Sequence, residues 1–303
     1  MNLADLTITP RELILTLIDS ASSSTLSAGY FVAAGELFSI DPRSTRVALG
    51  RLVKDGSLTS PGRGAYSLGN RAGTLHTLVR NWAQVEATLK PWSGGWLGVF
   101  TAHLTRSDKT SLRGRERALR LFGFAESQPG LWIRPDNLVT PLPELQQSLC
   151  ELGLEPSATT CVIAEMIPAE TRHAQLWDRD QLEAQYQSQL QALQKSIARI
   201  KRTHAAKADA GEIETEGTET EGTDAAEIGG THATELEGTD AVEIGKETLL
   251  LGRAVTRQIL LDPLLPDEMI DTKLRQRMIN TMREYDGLGK SFWRHFHTTH
   301  NPL

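Results

Sequence analysis

One stretch of forty-three residues, 205–247, constrains what the rest of this chain can build. It holds thirteen acids (Asp209, Glu212, Glu214, Glu216, Glu219, Glu221, Asp224, Glu227, Glu235, Glu237, Asp240, Glu243 and Glu247) against Lys207 and Lys246. It also repeats itself. "ETEGT" occurs in tandem at 214–218 and 219–223, and "GTDAAEIG" at 222–229 returns as "GTDAVEIG" at 238–245. Neither a helical stripe nor strand alternation runs through it, and large apolar side chains are too few to offset the entropy of ordering the chain. The tract therefore reads as a disordered acidic insertion that interrupts a helical region. The whole chain of 303 residues carries a net charge of −6. Without the tract, thirty basic and twenty-five acidic residues remain, a net of +5. The acidity belongs to one segment.

The rest is expected to be an α+β chain in three parts. Residues 1–72 read as three helices and a hairpin, 73–91 as a linker helix, 92–169 as a mixed domain, and 170–303 as a helical domain holding the insertion. In "TPRELILTLIDSAS", Thr9 is placed as N-cap, Pro10 at the first helical position and Glu12 three residues on, a capping box. Leu13, Ile14, Leu17 and Ile18 share one face. "SAGYFVAAGELF" is a weaker helical stretch, and Asp41 caps the third helix. From 92 the pattern gives a strand in "GGWLGVFTAHL", a helix in "SLRGRERALRLFGF", short strands in "FAES" and "GLWIRP", a helix in "PLPELQQSLCELG" and a strand in "TTCVIAEMIP". That order, β-α-β-β-α-β, is the ferredoxin-like arrangement. Leu176, Leu182, Tyr186, Leu190, Leu193 and Ile197 then recur near helical spacing, and Pro263 and Pro266 mark a break between later helices.

The segment 42–55 carries the functional signal. At about 100° per residue, Thr45, Ala48, Leu49, Leu52 and Val53 form one stripe. The opposite face carries Arg43, Arg46, Val47, Gly50 and Lys54, with Arg51 on its shoulder and Asp55 as the sole acid of the helix. An apolar underside with a basic outer face is what a recognition helix in a phosphate-lined groove requires. Arg43 and Arg46 are placed to reach base edges, where arginine pairs with guanine in bidentate fashion. Ser44 can donate to phosphate, and Gly50 permits close approach of the helix. Beyond Gly56, "SLTSPGRGAYSL" reads as a hairpin presenting Arg63 at its tip, in the manner of a wing. The whole is a winged helix-turn-helix binding double-stranded DNA.

At these residues the sequence resembles the PaaX family of bacterial transcriptional repressors. The family's R-x-A-L-x-R-L-V-x-x-G helix is matched by Arg46, Ala48, Leu49, Arg51, Leu52, Val53 and Gly56. Its W-x-G-x-W is matched by Trp92, Gly94 and Trp96, and its G-F…G-L-W segment by Gly123, Phe124, Gly130, Leu131 and Trp132. "LWDRDQLEAQY" and "LLDPLLPDEMI" also fit, so the resemblance spans the chain apart from the acidic tract. It implies a homodimeric repressor of a catabolic operon, notably for phenylacetate, bound to a pseudo-palindromic operator and released by an acyl-CoA thioester such as phenylacetyl-CoA. It implies a middle domain like the ferredoxin-like Cas2 fold. An interaction protein, binding protein or RNA through the same winged helix without ligand control, is the competing reading.

Other chemistries are weaker. Trp92, Trp96 and Trp132 suit either a core or an aromatic effector pocket. Arg113 and Arg117, with Arg115 and Arg120, sit on one helix and suit either the phosphates of a CoA or, more simply, a solvated helix face. Metal-dependent nuclease action needs carboxylates, and the strand from Trp96 offers none before Asp108. His295, His297 and His300 lack metal spacing on one helix face. Cys150 and Cys161 make neither a disulfide framework nor a metal knuckle. No phosphate loop or nucleophile elbow occurs. The expectation is a non-enzymatic, cofactor-free cytoplasmic protein with no secretory signal and no membrane span.

Overall fold

The computed structural model describes residues 6–21, 25–69, 73–166, 175–215 and 239–301. It is an α+β protein with two small antiparallel sheets and many helices.

The first part begins with α1 (Pro10–Ser20), whose Thr9–Glu12 capping box forms as the sequence predicts. A two-residue strand, β1 (Leu26–Ser27), leads into α2 (Ala28–Leu37), and α3 spans Pro42–Lys54. Two further strands follow, β2 (Leu58–Gly62) and β3 (Ala65–Leu68), and the sheet order is β1-β3-β2. Sequence reasoning missed β1, because two residues are too few to show alternation. The core beneath these elements is Leu13, Ile14, Leu17, Phe31, Leu49 and Leu52, each at most 3% exposed.

The segment expected as one linker helix is two pieces. Helix α4 (Gly73–Arg80) ends, and a 3-10 helix takes over at Trp82–Thr88.

The middle part runs β4 (Trp96–Phe100), α5 (Lys109–Leu121), β5 (Ala125–Gln128), β6 (Leu131–Pro135), α6 (Leu142–Leu152) and β7 (Thr159–Ile163). Its sheet order is β5-β6-β4-β7, every neighbouring pair antiparallel. Because side chains alternate along a strand, the sheet buries two faces. Leu97, Val99 and Trp132 pack under α5 and α6 with Leu119, Leu145 and Leu149. Trp96 and Ile133 pack on the helices of the last part.

Those helices are α7 (Arg179–Thr215), α8 (Thr239–Leu261) and α9 (Thr272–His300). Their cluster includes Tyr186, Leu193, Val255, Met278, Ile279 and Tyr285. Helix α7 extends past 205 and α8 begins at Thr239, so the acidic insertion expected at 205–247 is too long at both ends. The reason at the far end is packing. Ala241 and Ile244 are buried, and Arg199 of α7 holds Glu247. Gly245 lies under the Phe292 ring, where a β-carbon would collide with it. Residues 240–247 resemble the rest of the tract in composition, yet present a small and apolar face to α9. Residues 216–238, including the tandem "ETEGT" copy at 219–223, lie outside those described.

A buried polar seam joins the sheet to the last part. Arg134, 1% exposed, donates to the Phe122 carbonyl, to the Pro135 carbonyl at 3.3 Å and to Asn137 Oδ1 at 2.9 Å. Asn137 Nδ2 in turn donates to the Leu264 carbonyl at 2.7 Å. Burial pulls the pKa of Arg134 down, and the nearby carboxylates of Asp136 and Asp262 oppose that pull. Asp262 and Arg275 are buried 3.9 Å apart on the same seam.

Candidate nucleic-acid interface

Helix α3 is fixed from both ends. Asp41 accepts from the backbone N–H of Arg43 at 2.8 Å and of Ser44 at 3.3 Å, satisfying donors that a helix start leaves open. At the other end, the N–H of Asp55 reaches the Arg51 carbonyl. Thr45, Leu49 and Leu52 are buried against α1 and α2, so the rotation of the helix about its axis is set by packing. The outer face follows from that rotation. Arg43, Ser44, Arg46, Val47, Gly50, Arg51 and Lys54 are all exposed, and so is Arg63 at the β2–β3 tip.

Among the described residues no carboxylate pairs with Arg43, Arg46, Arg51, Lys54 or Arg63. The nearest acid in sequence is engaged elsewhere. Asp55 accepts from Arg11 at 2.7 Å and from the Ser57 N–H at 3.0 Å. The Ser57 hydroxyl and the Arg11 guanidinium hold its carboxyl down at about 2. Its charge is thereby committed on the α1 side of the unit. Five cations are left facing solvent around one exposed valine and one glycine.

The expected effector residues are not gathered in one place. Trp92 and Trp96 meet edge to face at 5.4 Å, and Trp96 stacks on Trp177 at 6.4 Å. Trp92 also donates from Nε1 to the Gly95 carbonyl at 2.6 Å. Trp132 lies on the opposite face of the sheet, under α5. Arg113 and Arg117 are exposed on α5, which covers the face of the sheet opposite to the one that buries Trp96. Arg115, expected beside them on a solvated face, is 2% exposed and bound to Glu155 at 2.9 Å. A cleft of about 290 Å3 opens beside Trp92 and Lys90, bounded across from them by Leu265 and by Thr272 and Arg275 of α9.

Sequence reasoning missed how the first part is seated on the last. Arg253 of α8 holds Glu12, the glutamate of the α1 capping box. Asn301 accepts from the Ser27 N–H at 2.7 Å, and Tyr30 meets the rings of Phe296 and His297, each at 5.6 Å. Leu249 and Phe296 enter the core of the first part. These contacts span more than 200 residues, and no local pattern encodes them.

No family model matches the chain, and no curated protein matches it. A solved structure does. The uncharacterized protein Rv0674 from Mycobacterium tuberculosis is similar over 94% of this chain and 98% of its own, with 18% identity and a TM-score of 0.51. At that identity the likeness is one of fold. Among the described residues no group of three histidines, cysteines or acids is placed to hold a metal ion, and no helix is long and apolar enough to cross a membrane.

Proposed function

We propose that this chain is a DNA-binding transcriptional repressor of the PaaX type. Its first part acts as a winged helix-turn-helix, with α3 in the major groove and the β2–β3 tip as the wing. The observation that carries the reading is the set of five exposed cations on α3 and the hairpin tip, none paired with a carboxylate among the described residues, in a chain whose net charge is −6. A solvated surface helix normally mixes charges of both signs. One sign of charge on one face, backed by an apolar stripe, suits a polyanion.

The middle part is read as ferredoxin-like, which the sheet order β5-β6-β4-β7 and the two helices on one face support. A homodimer would set two α3 helices in successive major grooves of a pseudo-palindromic operator. Control by an acyl-CoA thioester rests on the family resemblance. The cleft beside Trp92 has room for an acyl end, and α9 offers a route from there. It starts on the cleft wall at Thr272 and Arg275 and ends against the first part at Phe296 and Asn301.

The double variant Arg46→Ala with Arg51→Ala tests the assignment. Both side chains are exposed, so the melting temperature should not move. Each arginine contact to base or phosphate is worth about 1–3 kcal/mol, so affinity for a selected duplex should fall at least about thirtyfold. Unchanged affinity in a gel-shift titration would remove α3 as the reading helix.

A further inference from the structure

Val47 is the one large apolar side chain on the outer face of α3, and it is 52% exposed. Its place in the charge pattern is specific. At about 100° per residue, Arg43, Arg51 and Lys54 all fall within about 40° of it, and Ser44 and Gly50 flank it at about 60°. Along the axis, Arg43 and Lys54 lie about 16 Å apart. A major groove is about 12 Å wide. Two cations with that separation straddle such a groove and meet the phosphates on its two sides, which assigns Arg43 to the backbone and leaves Arg46 as the arginine for a base edge. Val47 and Gly50 then sit over the floor. Beside Gly50 there is open space, with nothing within 4 Å of where a β-carbon would stand. The helix is thus lowest where its side chains are smallest, and what it presents there is a pair of methyl groups.

On the floor of the major groove one apolar group is available, the C5 methyl of thymine. Arginine and lysine cannot use it, since their charged ends stay hydrated or seek oxygen and nitrogen acceptors. Resting on the proposed DNA-binding function, we infer that Val47 reads a thymine methyl, and that the cations around it fix the position from which it does so. The preference would be for T over C at one position of each half-site. It comes from excluding water between two apolar groups, while Arg46 selects guanine elsewhere.

The test uses the full chain. Duplexes are first selected from a random-sequence library, and each thymine of a tight binder is then replaced singly by deoxyuridine. That change removes the methyl and keeps every hydrogen bond. At one position per half-site the wild-type protein should lose about fourfold in affinity, the worth of one buried methyl-sized group. Val47→Ala should bind the thymine and uracil duplexes equally there. If no thymine is methyl-sensitive, or if the sensitivity survives in Val47→Ala, the contact is wrong, while salt-dependent duplex binding would still stand. If the full chain enriches no duplex, the DNA-binding function falls and this inference falls with it.

Discussion

Replacing Gly50 with leucine should leave the fold at least as stable and cost the protein most of its affinity for DNA. The two effects have opposite signs for separate physical reasons. A glycine inside a helix is less favourable than alanine by about 1 kcal/mol, and leucine is nearly as good a helix former as alanine. Gly50 is exposed with nothing beside it, so a larger side chain meets no neighbour. The expected gain is therefore about 0.5–1 kcal/mol in urea unfolding. In a groove the same side chain stands between the helix and the base edges. It lifts Arg43, Arg46 and Arg51 together, and losing two such contacts at about 1–3 kcal/mol each lowers affinity at least about thirtyfold. A variant that is no less stable and yet inert towards duplex is hard to explain by misfolding. Normal binding by Gly50→Leu would place the outer face of α3 away from the groove.

The largest loss of stability is expected on the seam. Arg134→Met removes the donors that serve the Phe122 carbonyl and Asn137 Oδ1, of which the first stays part-buried and the second buried. Each unsatisfied buried acceptor costs about 1–3 kcal/mol. Exchanging a buried ion for an apolar residue is sometimes neutral, but chiefly when its charged partner leaves as well. Here the acceptors are a backbone carbonyl and an amide, and they remain. Losing Arg134 also frees Asn137, whose bond to the Leu264 carbonyl ties the sheet to the segment leading into α9. A fall of about 3 kcal/mol in the free energy of unfolding is expected in urea. An unchanged midpoint would mean that the seam contributes little.

These residues also mark what was legible in the sequence. The interface could be read because it is local. Thr45, Leu49 and Leu52 recur at helical spacing, Asp41 and Pro42 fix the start, and the outer face follows by elimination. Its exposure agrees with the spacing for every residue named. The seam could not be read, since Arg134, Asp262 and Arg275 are charged and pattern reasoning places charged residues on the surface. Their burial depends on partners far apart in sequence, such as Asp262, 128 positions from Arg134. The same limit separated Trp132 from Trp96. Alternation fixes the face within one strand, but which strands pair and in what register depends on long-range contacts. In the acidic tract, composition concealed that Ala241, Ile244 and Gly245 belong to a packed helix.

The dependence of duplex affinity on salt reports most directly on whether α3 and the hairpin tip meet a polyanion. Each neutralised phosphate releases condensed counterions, so log affinity against log salt has a slope of about −0.9 per contact. Four phosphate contacts, from Arg43, Arg51, Lys54 and Arg63, give a slope of about −4 for one protomer, and about twice that for two half-sites. A titration of the full chain on a selected duplex across a range of salt should return such a slope, and Arg46→Ala with Arg51→Ala should flatten it by about 1 per protomer, since Arg51 is the one of the pair set on a phosphate. A wild-type slope near zero would contradict DNA binding through these cations.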